Sequence, residues 1–419
     1  MSKSTDAATT LQDEVSAEAQ REQMIRSLTN LGAIRSSRVE EAMRAVPRHL
    51  FIPGDSVEQA YEPERAFVTK KEQGVSLSSV SAARVQAFML EQAEVQPGMR
   101  VLEVGSGGVN AAYLAELVGM TGEVTTIDID PDVIERAQKL LPAAGYGRVH
   151  TLVTDGAGGE PGHAPYHRVV VTVGAADLPA ALVDQLDQED GRIVMPLRLR
   201  GLTRSVAFTR EGGHLVAGEP EVCGFVPMRG ADALQQTLLV LHEGDGEEVG
   251  LRVDAPGVEV DGEAVRAAFP GPVAESWSGV NLATGTSFDG LDLWLATACD
   301  GYVRMSATRK AKENGIVRTW SPAGVSAVVH NGKSLAYLVM RPVTPEKNTY
   351  EFGAVGQGPD AQEAADLLTA EMRTWDRDHR DDSPVIRAYR AGTPDAELAP
   401  GRVVDRRNFR FTISWPVGS

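Results

Sequence analysis

The chain has 419 residues and a formal net charge of −17. That length calls for two domains, each burying its own core, and that charge argues against nucleic acid or an anionic membrane as the main partner, because phosphate binding needs a concentrated positive field. Cys223 and Cys299 are too few for a disulfide framework and lack metal-ligand spacing, so both read as buried thiols. No apolar run approaches the length of a membrane span, and the first twenty residues lack a hydrophobic signal core, which sets the expectation of a cytoplasmic protein.

In chain order, residues 1–20 are polar and read as an unordered leader. Helical periodicity begins around Arg21 and runs to Leu31, and Ser36 or Ser37 is placed to cap a second helix that Val46-Pro47 stops. From Gln96-Pro97-Gly98 strands alternate with helices: Arg100 to Val104, a helix over Asn110 to Val118, Glu123 to Ile127, and a helix from Pro131 to Leu141. Val149 to Val153 and Arg168 to Val173 follow, then a helical stretch from Leu178 to Leu186. This alternation predicts a doubly wound, Rossmann-like parallel sheet. Arg192 to Leu197, Thr203 to Thr209 and His214 to Phe225, joined by short turns, predict an antiparallel edge to it. Past Met228 short strands broken by Gly and Asp, with one helix from Ala361 to Trp375, predict a C-terminal α+β domain over 229–419 beside a catalytic domain over 21–228. The run from Trp375 to Asp382 mixes His and carboxylates with arginines at the end of an amphipathic helix, so it reads as a salt-bridged surface rather than a metal site.

The motif that carries most is VLEVGSGG at 101–108, a buried strand ending in an acid and a glycine turn that leads into a helix. It lacks the third glycine of a dinucleotide fingerprint, offering Val109 and Asn110. About 20 residues on, Asp128 ends a second strand where a ribose diol needs a carboxylate acceptor. Asp155, before Gly156, ends a third, placed to accept from an adenine amino group. A pyrophosphate over the glycine turn would be repelled by Glu103, whereas a cofactor bearing an ammonium and a sulfonium would be attracted. S-adenosylmethionine therefore fits better than a nicotinamide dinucleotide, and an NAD-dependent oxidoreductase is the disfavoured alternative.

Several patterns resemble protein L-isoaspartyl O-methyltransferases: VPRHLFIP at 46–53, AYE at 60–62, GVSLS at 74–78, VLEVGSG at 101–107, IDIDP at 127–131, HAPY at 163–166 and VTVGA at 171–175. The resemblance implies a class I S-adenosylmethionine-dependent methyltransferase fold. It implies that Glu103, Gly105 and Gly107 hold the methionyl end, Asp128 the ribose hydroxyls and Asp155 the adenine, with Ser106, Ile129 and Gly156 also in the cofactor site. Ser78 stands where the family has its substrate-side hydroxyl, with Ser76, Ser79 and Val173 beside the substrate. The chain departs from the family at Val109, at Ser79-Val80 with a longer segment to Gln86, and at His167, which reads as a structural strand-start residue. GSGGVNAA at 105–112 and PLRLRGLTRS at 196–205 look more like a branch found beside the biosynthesis of ribosomally made peptides, especially lanthipeptides, in which a C-terminal domain is added. That resemblance implies methylation of an Asp side chain in an already modified precursor peptide, leading to succinimide or isoaspartate. General isoaspartyl repair and a non-catalytic peptide-binding module are the alternatives, and the oligomeric state stays open.

Overall fold

The computed structural model describes residues 2–233, 237–254, 260–271, 273–321, 324–344, 346 and 348–416, and they fall into two compact units, 1–197 with 203–234, and 198–202 with 235–419.

The first unit opens with α1 (Ser2–Asn30), a single helix that begins well before the expected Arg21. The expected unordered leader is thus helical from Ser2, in keeping with its Ala, Glu and Gln content, and Ala17 is already buried. In α2 (Ser37–Ala45) the Ser36 side chain accepts from the Val39 N–H, the N-cap the sequence offers. After α3 (Val57–Ala60) comes an antiparallel hairpin, β1 (Phe67–Glu72) and β2 (Val75–Val80), with a register shift beside Lys70. Then α4 (Ala83–Ala93), β3 (Arg100–Val104), α5 (Val109–Val118), β4 (Glu123–Asp128), α6 (Pro131–Ala143), β5 (His150–Val153), β6 (Arg168–Val171), α7 (Ala180–Asp184) and β7 (Arg192–Leu199) alternate.

Strands β5-β4-β3-β6-β7 lie side by side in that order and pair in parallel. The order reverses at β3, so the glycine turn leaves the sheet at its topological switch point, where open α/β sheets bind their ligands. The antiparallel edge is built by β8 (Leu202–Glu211), β9 (His214–Ala217) and the short β10 (Glu221–Val222), which pairs with β8. The expected single strand from His214 to Phe225 is interrupted at Gly218-Glu219-Pro220, where proline supplies no ladder donor. Apolar α5 is buried along nearly its whole length against α2, β3 and β4, which fixes the helix that starts at the glycine turn. His167 Nδ1 accepts from the Arg100 N–H at 3.1 Å and its own N–H donates to Arg100 O, a strand-start role.

In the second unit β11 (Thr237–His242), β12 (Val249–Val253), α8 (Gly262–Ala268), β13 (Val273–Ala283), α9 (Asp289–Ala298), β14 (Tyr302–Ala307), α10 (Arg309–Glu313), β15 (Val325–His330), β16 (Ser334–Pro342), β17 (Thr349–Gln357), α11 (Ala361–Asp378), β18 (Val385–Arg390), β19 (Arg402–Asp405) and β20 (Phe409–Ser414) follow. Seven strands form an antiparallel sheet in the order β11-β12-β14-β15-β16-β17-β13. Ala364, Ala365, Leu368, Met372 and Trp375, at helical spacing on α11, pack against β13, β16 and β17. Strand β20 pairs antiparallel with β18 and with β19. The charged run after Trp375 forms ion pairs of Arg377 with Asp378 and Arg380 with Asp376, and His379 Nδ1 lies 3.2 Å from Asp382 Oδ2. Both thiols are pushed up to about 12 by burial. Among the described residues no helix is long and apolar enough to cross a membrane.

Candidate active site

Three strand ends of the first unit bring the sequence motifs together. Gly105 closes β3 with φ +97°, a conformation that favours glycine. A Cβ there would stand 2.6 Å from Thr172 Oγ1, which donates back to Gly105 O at 2.7 Å. Gly108, at φ +82°, starts α5 directly against the Phe51 ring, so the turn closes on Gly108 and leaves Val109 as the first helical residue. Gly156 is pressed on Val104, 2.4 Å from where its Cβ would be.

Two small cavities flank this turn. The first is lined by Leu77, Gly105, Asp128, Ile129, Gly156, Val173 and the segment Pro227–Arg229. Asp128 sits at its edge, accepting from the Ser106 N–H at 3.1 Å and from the Asp130 N–H at 2.9 Å. Burial raises its pKa against the lowering effect of those amides. Asp155 accepts from the Ala157 and Ala231 N–H groups. The second cavity is lined by Ser79, Ser81, Gln86, Glu103, Gly107, Asn110 and Thr172 with apolar neighbours including Phe225. Glu103 is fully buried; its Oε1 accepts from Asn110 Nδ2 at 2.9 Å and its Oε2 from Thr126 Oγ1 at 2.5 Å. Burial pushes its carboxyl up to about 7 despite those two donors.

The hairpin supplies the remaining predicted residues, but not uniformly. Leu77, Ser79 and Val80 border the cavities, whereas Ser76 and Ser78 line neither of the two. Ser78 Oγ accepts from Thr69 Oγ1 at 2.9 Å, which leaves its own O–H free to donate. Sequence reasoning missed Thr69, Asn110 and Thr126, and also Arg48. Arg48 is fully buried; it donates from Nε to Ala60 O at 2.9 Å, from Nη2 to Ser81 O at 2.6 Å, and from Nη1 to Gln86 Oε1. It thereby ties the end of β2 to α4 beside the second cavity. Its place in the VPRHLFIP motif was the available signal.

A family profile described as protein-L-isoaspartate(D-aspartate) O-methyltransferase matches residues 19–233, over half of the chain. The chain belongs to this family. It is a carboxyl O-methyltransferase, and its cofactor is S-adenosylmethionine. A protein-L-isoaspartate O-methyltransferase of Methanopyrus kandleri is 38% identical over 219 residues, 52% of this chain and 94% of that protein. The like-named protein of Ignicoccus hospitalis is 42% identical over 181 residues, 43% of this chain and 82% of its own. A solved structure titled protein-L-isoaspartate O-methyltransferase covers 94% of this chain and 99% of its own, with 19% identity and a TM-score of 0.49.

The residues of the methyltransferase site fit that cofactor chemically. The first cavity offers the Asp128 carboxylate as acceptor for a diol, and the second a buried carboxylate for an ammonium. Between them the Ser106 hydroxyl is buried without a hydrogen-bond partner among the described residues, a polar group whose desolvation a ligand would offset. The cavities are narrow, about 30 Å³ and 20 Å³, against the several hundred Å³ a drug-sized ligand occupies.

Proposed function

We propose that this methyltransferase esterifies the side-chain carboxylate of an Asp in a ribosomally made, lanthipeptide-type precursor that has already been modified, and that the ester leads to succinimide or isoaspartate. The observation that carries this reading is the second unit. The family match ends at residue 233, yet 235–419 builds a core of its own around β13–β17 and α11. Methylating an exposed isoaspartyl residue does not call for a second domain, whereas selecting one peptide does. Within that unit a cleft of about 680 Å³ is walled by Trp294, His379 and Trp415, with Trp294 and His379 stacked at 4.4 Å. Aromatic walls of this kind suit an apolar or aromatic peptide side chain.

Bound cofactor supplies an electrophilic methyl group. The chain's own residues position the acceptor: Ser78, held by Thr69, donates to the carboxylate, with Ser76, Ser79 and Val173 beside it, while Asp128, Ile129, Asp155 and Gly156 hold the adenosine and Glu103, Gly105, Ser106 and Gly107 the methionyl end. An Asp carboxyl is ionised at neutral pH, so no general base is required, and alignment supplies the rate. In the methyl ester the next backbone amide nitrogen attacks the carbonyl, its proton leaves with methoxide as methanol, and the ring closes. Water then opens it to Asp or isoAsp. The setting proposed for this chemistry is the cytoplasm, where precursor peptides are made.

Incubation with linear precursor, crosslinked precursor and a generic isoaspartyl peptide tests the reading by mass spectrometry. Methyl gain followed by methanol loss on the crosslinked precursor alone is expected, and Trp415→Ala should raise its KM. Efficient methylation of the isoaspartyl peptide with the precursor untouched would make the protein a repair enzyme, the reading its relatives' names favour. Cofactor binding with no methyl transfer to any of the three would make it a binding module.

A further inference from the structure

The first cavity holds one group that the motifs leave unexplained, the Arg229 side chain. Its Nη2 donates to Asp130 Oδ2 at 3.1 Å and stands 3.9 Å from Asp128 Oδ1, and the side chain is 35% exposed. Asp130 is only 4% exposed and takes Lys70 Nζ on both oxygens, at 2.8 Å and 3.0 Å. Burial opposes its ionisation, but the hydrogen bonds from Lys70 and Arg229 outweigh that and hold its carboxyl below the ordinary range. Lys70 supplies Asp130 with a counter-charge that it shares with Asp132 at 2.8 Å and Glu72 at 3.7 Å, so Arg229 is the second cation of an acidic cluster.

Arg229 lies where one is needed for another reason. Transfer brings an anionic carboxylate up to a cavity edged by Asp128 and, behind it, Asp130. Both repel it, and in a partly buried site that repulsion is weakly screened. A guanidinium between them offsets part of that repulsion. It also carries five N–H donors in a planar fork, of which only those on Nη2 are engaged among the described residues. The acceptor must stay deprotonated to react, and a guanidinium does not give up its proton, so it can hold the carboxylate without quenching it. Val173, named above beside the substrate, and Leu77, next to Ser78 on β2, line the same cavity.

We propose that Arg229 is a substrate-binding residue that grips one oxygen of the acceptor carboxylate and leaves the other free to attack. The proposal rests on the reading of the chain as a carboxylate methyltransferase acting on a peptide. The alternative is a purely structural ion pair that ties the segment around Arg229 to β4 and α6.

Calorimetry on the full chain loaded with S-adenosylhomocysteine separates the two. The probes are a synthetic isoaspartyl peptide, the crosslinked precursor, and each of these with the acceptor carboxylate replaced by its amide. Arg229→Met should weaken binding of the carboxylate peptide on the order of tenfold to a hundredfold, the worth of a charge-assisted hydrogen bond. It should leave the amide peptide's affinity unchanged and the cofactor's within about threefold, since Lys70 still neutralises Asp130. Arg229→Lys should restore part of the loss. Equal losses for the carboxylate and amide peptides, or a loss confined to the cofactor, would overturn the proposal and leave Arg229 structural while the proposed function stands. Wild-type protein that binds none of the four peptides overturns the proposed function, and this role with it.

Discussion

Glu103→Gln should separate stability from cofactor binding in this protein. The wild-type carboxyl is fully buried, with its pKa pushed up from 4.5 to about 7. The folded chain therefore keeps this proton over a pH range in which the unfolded chain has released it, and folding stability falls as pH rises from about 4.5 through 7. Above that range the ionised group costs roughly 3 kcal/mol more in the fold than in the unfolded chain. Gln has the same shape and can keep both hydrogen bonds: its Oε1 accepts from Asn110, and its Nε2 donates to Thr126 Oγ1, whose hydroxyl turns to accept. The cofactor-free variant should thus be more stable than wild type at pH 8 by up to about 3 kcal/mol, a melting shift of roughly 6–12 °C for a unit of this size, and the gain should shrink toward zero near pH 4.5.

Cofactor binding should move the other way. An ammonium beside Glu103 favours its ionised form, so wild-type affinity should rise between pH 6 and 8 and binding should release protons. The variant should bind more weakly and with no such pH dependence. Scanning calorimetry at several pH values, with titrations in two buffers of different ionisation enthalpy, reads both effects. Melting curves of the two proteins that run parallel from pH 5 to 8 would refute the reasoning, because the buried charge would then carry no cost.

Asp128→Ala should weaken S-adenosylmethionine binding by one to two orders of magnitude, the loss of a charge-assisted hydrogen bond of about 1.5–3 kcal/mol; an unchanged calorimetric Kd removes it from the site. Ser78→Ala should lower kcat at least tenfold while cofactor affinity stays within about threefold, and Thr69→Val should reproduce part of that loss if the Thr69 hydroxyl orients Ser78. Turnover that survives Ser78→Ala would transfer the substrate role to Ser79, which lines the second cavity. Arg48→Met should destabilise the first unit by roughly 3–5 kcal/mol, because the Ala60 and Ser81 carbonyls and Gln86 Oε1 are left buried without their donor; a melting temperature within 2 °C of wild type, against the roughly 6–20 °C this loss implies, would show that water or a rearranged Gln86 replaces the guanidinium.

What the sequence made legible is local. A strand that ends in an acid or a glycine shows itself within ten residues, because apolar alternation, a turn residue and a helix start follow one another along the chain. That is how the turn at Gly105–Gly108, the strand-end acids Asp128 and Asp155, and the cap at Ser36 can be read. The contacts that tune these groups are not local. Thr126 lies 23 residues from Glu103, Lys70 lies 60 from Asp130, and Arg229 lies 99 from Asp130. Each pairing exists only because β3 and β4 lie side by side and the hairpin and the segment around Arg229 fold back over them. No periodicity encodes that. The seven-stranded order of the second unit was hidden for the same reason, since antiparallel pairing of β13 with β17 depends on a sheet whose order is not its chain order.

The two kinds of information meet in the charge of the site. Read along the chain, Glu103, Asp128, Asp130 and Asp155 form an acidic series that favours a cationic cofactor and disfavours an anionic substrate. Read in space, the series divides. Glu103 is enclosed by Asn110 and Thr126 with no cation among its hydrogen-bond partners, which leaves its field for an ammonium. Asp130 instead pairs with Lys70 and Arg229, and Arg229 stands 3.9 Å from Asp128, so these cations offset part of the acidic charge beside the proposed acceptor position. One strand order thus gives a single site an attractive wall for a cation and, with the proposed role of Arg229, a wall of reduced negative charge for an anion, and methyl transfer from a sulfonium to a carboxylate needs both.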